Sequence, residues 1–152
     1  MKKEILFVCT GNTCRSPIAE ALCKRMLEER NMDNDYSCCS AGVYAFEGDN
    51  ASYEAVLVAK QESLDISNHY ARTLNHDMVK NAYIILTMTI NHKRMILDVY
   101  PEAQDKVFTL KEFAEYSKYD NDVTDPFGMG EEAYAACFRE VKTVLLKMLD
   151  RL

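Results

Sequence analysis

The stretch that decides the fold is Ile5-Leu6-Phe7-Val8-Cys9-Thr10-Gly11-Asn12-Thr13-Cys14-Arg15-Ser16-Pro17. Its first four residues form an unbroken apolar run. Such a run suits a strand covered on both faces, as in a parallel sheet; a half-exposed strand would alternate apolar and polar residues. Ser16-Pro17 then opens a helix, with serine as the expected N-cap and proline at the first helical position. Ile18, Ala19, Leu22, Cys23, Met26 and Leu27 continue that helix as one apolar stripe. Between Cys9 and Arg15 the chain has only five residues in which to pass from a buried strand to a helix N-terminus.

The same alternation continues downstream. Residues 36–41 read as a second strand, ended by Gly42, and residues 52–62 as a helix. A short helix follows at 75–80, a third buried strand at 82–88, and a helix at 91–100 that stops at Pro101. Residues 106–110 give a fourth strand. Residues 112–132 read as an acidic loop, with seven acids against Lys118 alone. The last helix carries Tyr134, Cys137, Phe138, Val141, Leu145, Met148, Leu149 and Leu152 on one face. Strands alternating with helices predict an α/β fold: one domain over residues 1–152, with a parallel sheet of about four strands and helices on both faces. Ligands of such sheets bind beyond the carboxyl ends of the strands, and the first strand ends at Cys9.

Composition narrows the function classes. A chain of 152 residues buries enough surface to fold without staples, and 48% hydrophobic with 28% charged residues excludes disorder as its main state. No apolar run is long enough for a membrane helix, and the N-terminus lacks a signal-peptide pattern, so the cytoplasm is the expected location. Eighteen basic against 24 acidic residues give a net charge of −6. That argues against a general binder of nucleic acid or anionic membrane, so any phosphate site must be built locally. The six cysteines, Cys9, Cys14, Cys23, Cys38, Cys39 and Cys137, lack the paired spacing of a zinc site, and the chain is too long for a stapled scaffold. Most are expected to be reduced, buried thiols, with no metal or cofactor.

The loop after the first strand has the parts of an anion cage. Thr10, Gly11, Asn12, Thr13 and Cys14 can curl so that their amides face inward as a nest, with Gly11 supplying a positive φ. The helix that follows adds free N–H groups and the positive end of its dipole. Arg15 offers a planar fork for two phosphoryl oxygens. Cys9 lies at the bottom, where the same field favours a thiolate nucleophile. Ser16 can donate its hydroxyl to the sulfur, and Asn12 can hold the loop's shape. A Cys-x5-Arg match alone arises often by chance; between an apolar strand and a Pro-started helix it is specific.

Cys9-Thr10-Gly11-Asn12-Thr13-Cys14-Arg15-Ser16-Pro17 resembles the signature of the low-molecular-weight protein tyrosine phosphatases. Ser40-Ala41-Gly42 resembles that family's segment after the second strand. Ser67-Asn68-His69-Tyr70-Ala71-Arg72 resembles its S-x-H-x-A-R segment, and Asp125-Pro126 its late acid loop. The resemblance covers the whole chain. It implies that Cys9 forms a cysteinyl-phosphate, that Arg15 and the loop amides hold the phosphoryl oxygens, and that Asp125 protonates the leaving group. It also implies loop support from Asn12, Ser16, Ser40 and His69, no metal, and a four-stranded parallel sheet. Cys14 is expected to trap oxidised Cys9 as a disulfide.

Thr13 bears on the substrate. Many tyrosine-specific members resemble C-x-G-N-I-C-R-S, whereas Thr13 followed late by Asp125-Pro126-Phe127-Gly128 resembles the protein arginine phosphatase branch. A hydroxyl at this position can serve a guanidinium, and Asp125 can pair with it. Phe127 would form one substrate wall, and Tyr44 with Phe46 the opposite one. Phosphoarginine is the favoured substrate and phosphotyrosine the alternative, both on protein partners, in a monomer or weak dimer. Arsenate reduction would need a further cysteine relay between Cys39 and Cys137, which is absent. A silent phosphate reader or redox sensor is disfavoured because Cys9, Arg15 and Asp125 are all present and nothing is disabled, and a phosphocarrier using Cys9 as a way-station would not need Asp125.

Overall fold

The computed structural model describes all residues, 1–152. Its sheet has four parallel strands in the order β2-β1-β3-β4: β1 Lys3–Cys9, β2 Tyr36–Gly42, β3 Ile84–Thr87 and β4 Val107–Thr109. The helices are α1 Arg15–Glu29, α2 Tyr53–Gln61, α3 His76–Asn81, α4 Ile90–Val99, α5 Leu110–Phe113 and α6 Glu131–Leu149. The expected α/β class and strand number are therefore present.

The apolar run of β1 is covered on both sides. Ile5, Phe7 and Cys9 face a large core built mainly from α1, α2 and α6, while Leu6 and Val8 face a smaller one containing Val79 of α3 and Ile96 of α4. Side chains alternate across a strand, so one sequence run serves two cores. All six residues of the expected α1 stripe are buried. Because β1 is central and its neighbours β2 and β3 are reached in opposite directions, the crevice beyond its carboxyl end opens at a topological switch point.

Several boundaries differ from the sequence reading. Ser16 is not the N-cap: α1 starts at Arg15, and Cys14 occupies the cap without a side-chain bond. Pro17 therefore lies inside the first turn, where its missing N–H still costs nothing. Pro101 ends α4 but begins a 3-10 turn, Pro101–Lys106. The acidic segment starts later than expected, because Thr109 and Glu112 form a reciprocal capping box that sets α5. Leu152 lies beyond α6, half-buried. Other caps fall beside the expected ends: Ser52, Asn75 and Thr89 accept from the amides of Ala55, Met78 and His92.

Candidate active site

The loop after β1 is held from outside by its carbonyls. Cys9 O accepts from Val43 N (3.0 Å), Thr10 O from Tyr44 N (2.9 Å), Thr13 O from Ser52 N (2.9 Å) and Cys14 O from Ile18 N (3.2 Å). Asn12 O accepts from His69 Nε2 at 2.7 Å. With these carbonyls turned outward, the amides of Gly11, Asn12, Thr13 and Cys14 are left without protein acceptors. Unpaired amides at a helix N-terminus are the elements of an anion site.

The left-handed residue of this loop is Asn12, with φ 57°, and not Gly11 as the sequence suggested. Asparagine tolerates that region because its short amide can bond locally. Here the amide is fully bonded, to one nearby and two distant partners. Oδ1 accepts from Arg72 N (2.9 Å), and Nδ2 donates to Ser16 Oγ (2.8 Å) and Ser40 Oγ (2.9 Å). Ser40 donates onward to Glu20 Oε1 at 2.6 Å. Since Glu20 accepts and Asn12 donates, Ser16 is left free to direct its own proton at Cys9 Sγ, 2.9 Å away. The tight glycine is Gly42, where an added Cβ would lie 2.4 Å from Thr10 O.

Cys9, Thr10, Gly11, Thr13, Cys14 and Arg15 line a cavity of about 200 Å³ together with Asp125 and Phe127. A wider recess of about 360 Å³ by α2 and residues 63–67 contains none of these residues. Arg15 is 4% exposed; its Nη1 donates to Val123 O at 3.0 Å, and its Nη2 lies 3.6 Å from Asp125 Oδ2. Asp125 also accepts from Phe127 N, a local turn that fixes its carboxylate at the mouth. The neighbouring acids are committed elsewhere. Asp120 Oδ2 binds Lys111 Nζ and Asp122 Oδ1 accepts from Ile90 N, so Asp125 is the acid of this segment that lines the cavity.

Tyr44 and Phe46 do not line the cavity. They stand exposed on the loop after β2, where Tyr44 contributes its backbone N–H, which braces Thr10. Phe127 alone of the three expected wall residues lines it. Cys14 Sγ contacts Ser52 Oγ and Tyr134 Oη, each at 3.3 Å. All six thiols are free, and burial pushes Cys39 and Cys137 up to about 12.

His92 and Glu20 were missed. His92 Nε2 lies 2.8 Å from Thr10 Oγ1, and its Nδ1 is buried without a partner. Burial first, then the Arg15 charge, hold it down at about 4, against opposing pulls from Asp122 and Asp125. No local pattern marks either residue; Glu20 is merely one turn beyond Ser16 on the same helix face.

The family described as low molecular weight phosphotyrosine protein phosphatase matches residues 4–152. The chain belongs to that family of cysteine-dependent phosphatases. It is 42% identical to a protein-arginine-phosphatase of Geobacillus stearothermophilus, over 100% of this chain and 97% of the relative. A solved low molecular weight protein tyrosine phosphatase from T. tengcongensis has a TM-score of 0.92 at 42% identity, covering 99% of this chain and 100% of that one. A YwlE arginine phosphatase mutant with a phosphorylated active-site serine superposes with a TM-score of 0.92 at 36% identity, covering 98% and 95%.

Proposed function

We propose that this phosphatase acts on phosphorylated protein side chains through a cysteinyl-phosphate on Cys9, with phosphoarginine as its preferred substrate. Cys9 Sγ attacks phosphorus at the floor of the cavity, and the phosphate-binding loop amides with Arg15 take the equatorial oxygens. Asp125 gives its proton to the leaving nitrogen as the P–N bond breaks. The resulting carboxylate then accepts a proton from the water that attacks phosphorus; the P–S bond breaks as the P–O bond forms, and the departing thiolate is met by the Ser16 hydroxyl. A relative carrying phosphate on an active-site serine supports the covalent step.

The observation that carries the arginine reading is Thr13. It lines the cavity, and its hydroxyl has one weak protein partner, Cys14 Sγ at 3.7 Å. That leaves the hydroxyl available to a guanidinium, and Asp125 supplies a carboxylate at the same mouth. Phe127, 72% exposed beside the cavity, favours the second reading, in which an aryl ring of phosphotyrosine packs against it. Six free thiols fit a reducing cytoplasm.

The test is kcat/KM on phosphoarginine and phosphotyrosine peptides of equal flanking sequence, in the native protein and Thr13→Ile. The native protein should prefer phosphoarginine. The substitution should lower that activity about tenfold, or about 1.4 kcal/mol, because the desolvated substrate group loses its partner. Phosphotyrosine hydrolysis should be spared. An unchanged ratio, or a native preference for phosphotyrosine, would make the tyrosine reading the better one.

A further inference from the structure

Between α5 and α6 the chain has no helix or strand, yet Val123 within it is fully buried and Asp125 is held at the cavity. A segment with so many acids repels itself unless a cation is supplied. Arg15 faces Asp125 and Arg151 faces Glu115; the cation at Asp120 is Lys111 on α5, whose side chain is 1% exposed. Its Nζ donates to Asp120 Oδ2 (2.6 Å), Asp122 O (2.8 Å) and Glu140 Oε2 of α6 (3.0 Å). These three bonds use all three ammonium donors. Two of the acceptors belong to the loop and the third to the helix behind it.

From there the connections run directly to the reaction centre. Asp122 Oδ1 accepts from Ile90 N, and Val123 N donates to Met88 O beyond β3, both at 2.8 Å. Val123 O then accepts from Arg15 Nη1, and Arg15 Nη2 faces Asp125. The guanidinium is thus oriented by the carbonyl one residue past the Lys111 acceptor.

We propose that Lys111 is a positioning residue for proton delivery: by clamping residues 120–122 it keeps Asp125 in register above Cys9, while Arg15 keeps its own anchor through Val123, which Met88 O holds. The inference rests on Asp125 acting as the acid. Removing the clamp lets the loop drift, and small displacements of a proton donor cost rate mainly where the leaving group needs protonation. Anion binding by the loop amides is left in place.

The experiment measures kcat/KM for Lys111→Met, Lys111→Arg and Asp125→Asn on aryl phosphates ranging from dinitrophenyl to phenyl, with inhibition by inorganic phosphate. Lys111→Met should lose about tenfold or more on phenyl phosphate and much less on dinitrophenyl phosphate, in the direction of Asp125→Asn. Phosphate inhibition should stay within about threefold, since the amide nest is untouched and Val123, which orients Arg15, is still held by Met88 O. Lys111→Arg, which keeps a cation at the clamp, should recover part of the loss. If Lys111→Met does not fold, Asp120→Ala, which removes an exposed partner of the clamp, should show the same leaving-group pattern with smaller amplitude. An equal loss on all substrates, or none, overturns the inference and leaves Lys111 a purely structural residue. If Asp125→Asn shows no dependence on the leaving group, the acid assignment itself falls and takes the inference with it. If it does while Lys111→Met and Asp120→Ala do not, only the inference falls.

Discussion

His92 is 4% exposed, hydrogen-bonded to Thr10 and beside Arg15. A second positive charge there would be both desolvated and repelled, so the imidazole stays neutral down to about 4, below its ordinary 6.5. The unfolded chain therefore takes up a proton on this residue before the folded one does. Its contribution to stability is fully present above pH 6.5 and is lost as pH falls through about 4, on the order of 3 kcal/mol in all. His92→Gln keeps a nitrogen near the position of Nε2 but does not titrate. Melting temperatures measured from pH 7 to pH 4 should therefore fall more steeply for the native protein than for the variant; parallel curves would contradict the assignment. Residues such as Cys9, Arg15 and Ser16 were legible in the sequence because strand, loop and helix follow one another in a single stretch. His92 was not, since its partner Thr10 lies 82 residues away. Gly11 misled for a different reason: glycine permits a positive φ but does not require one, and Asn12 adopts it instead.

At the scale of elements, the end of β2 shapes the loop after β1. Gly42 pairs with Cys9 in the sheet, and a methyl group on it would fall 2.4 Å from Thr10 O and 3.0 Å from Asn12 N. Both are backbone atoms of the anion nest, so they cannot swing aside as a side chain could. Gly42→Ala should therefore displace the loop. We expect kcat/KM to fall up to about a hundredfold, with roughly 1–3 kcal/mol lost in stability. Kinetics with thermal melting check this; unchanged kcat/KM would show that the loop does not depend on this approach. Strands β1 and β3 were legible because both are continuous apolar runs, although β3 and β4 are shorter than those runs suggested. The capping box of α5 was present as Thr109-x-x-Glu112 but lay hidden at the start of the acidic stretch. The cap of α1 misled because Ser16 carries the residue type of an N-cap while its hydroxyl serves Cys9.

At the scale of the whole molecule, a protein of net charge −6 gathers unpaired amides, one helix end and one buried arginine at the proposed anion site. The parallel sheet makes this possible by bringing the loop after β1, the end of β2 and the turn beyond β3 to one edge. The fold class was legible from the alternation of patterns. The placement of the acid loop was not, because it depends on the Lys111, Val123 and Arg15 contacts that form only when α5, α6 and β3 are packed. All of these contacts converge on one claim, that Cys9 carries the phosphoryl group between substrate and water. The direct measurement is rapid mixing of the Asp125→Asn variant with dinitrophenyl phosphate, whose leaving group needs no proton so that only the hydrolytic step is slowed, followed by acid quenching within one turnover and mass spectrometry of the digested protein. The account predicts phosphate on the peptide containing Cys9, formed together with a burst of dinitrophenol equal to the enzyme, and neither in Cys9→Ala. Phosphate release with no burst and no phosphorylated Cys9, or a phosphoryl group on a different residue, would contradict it.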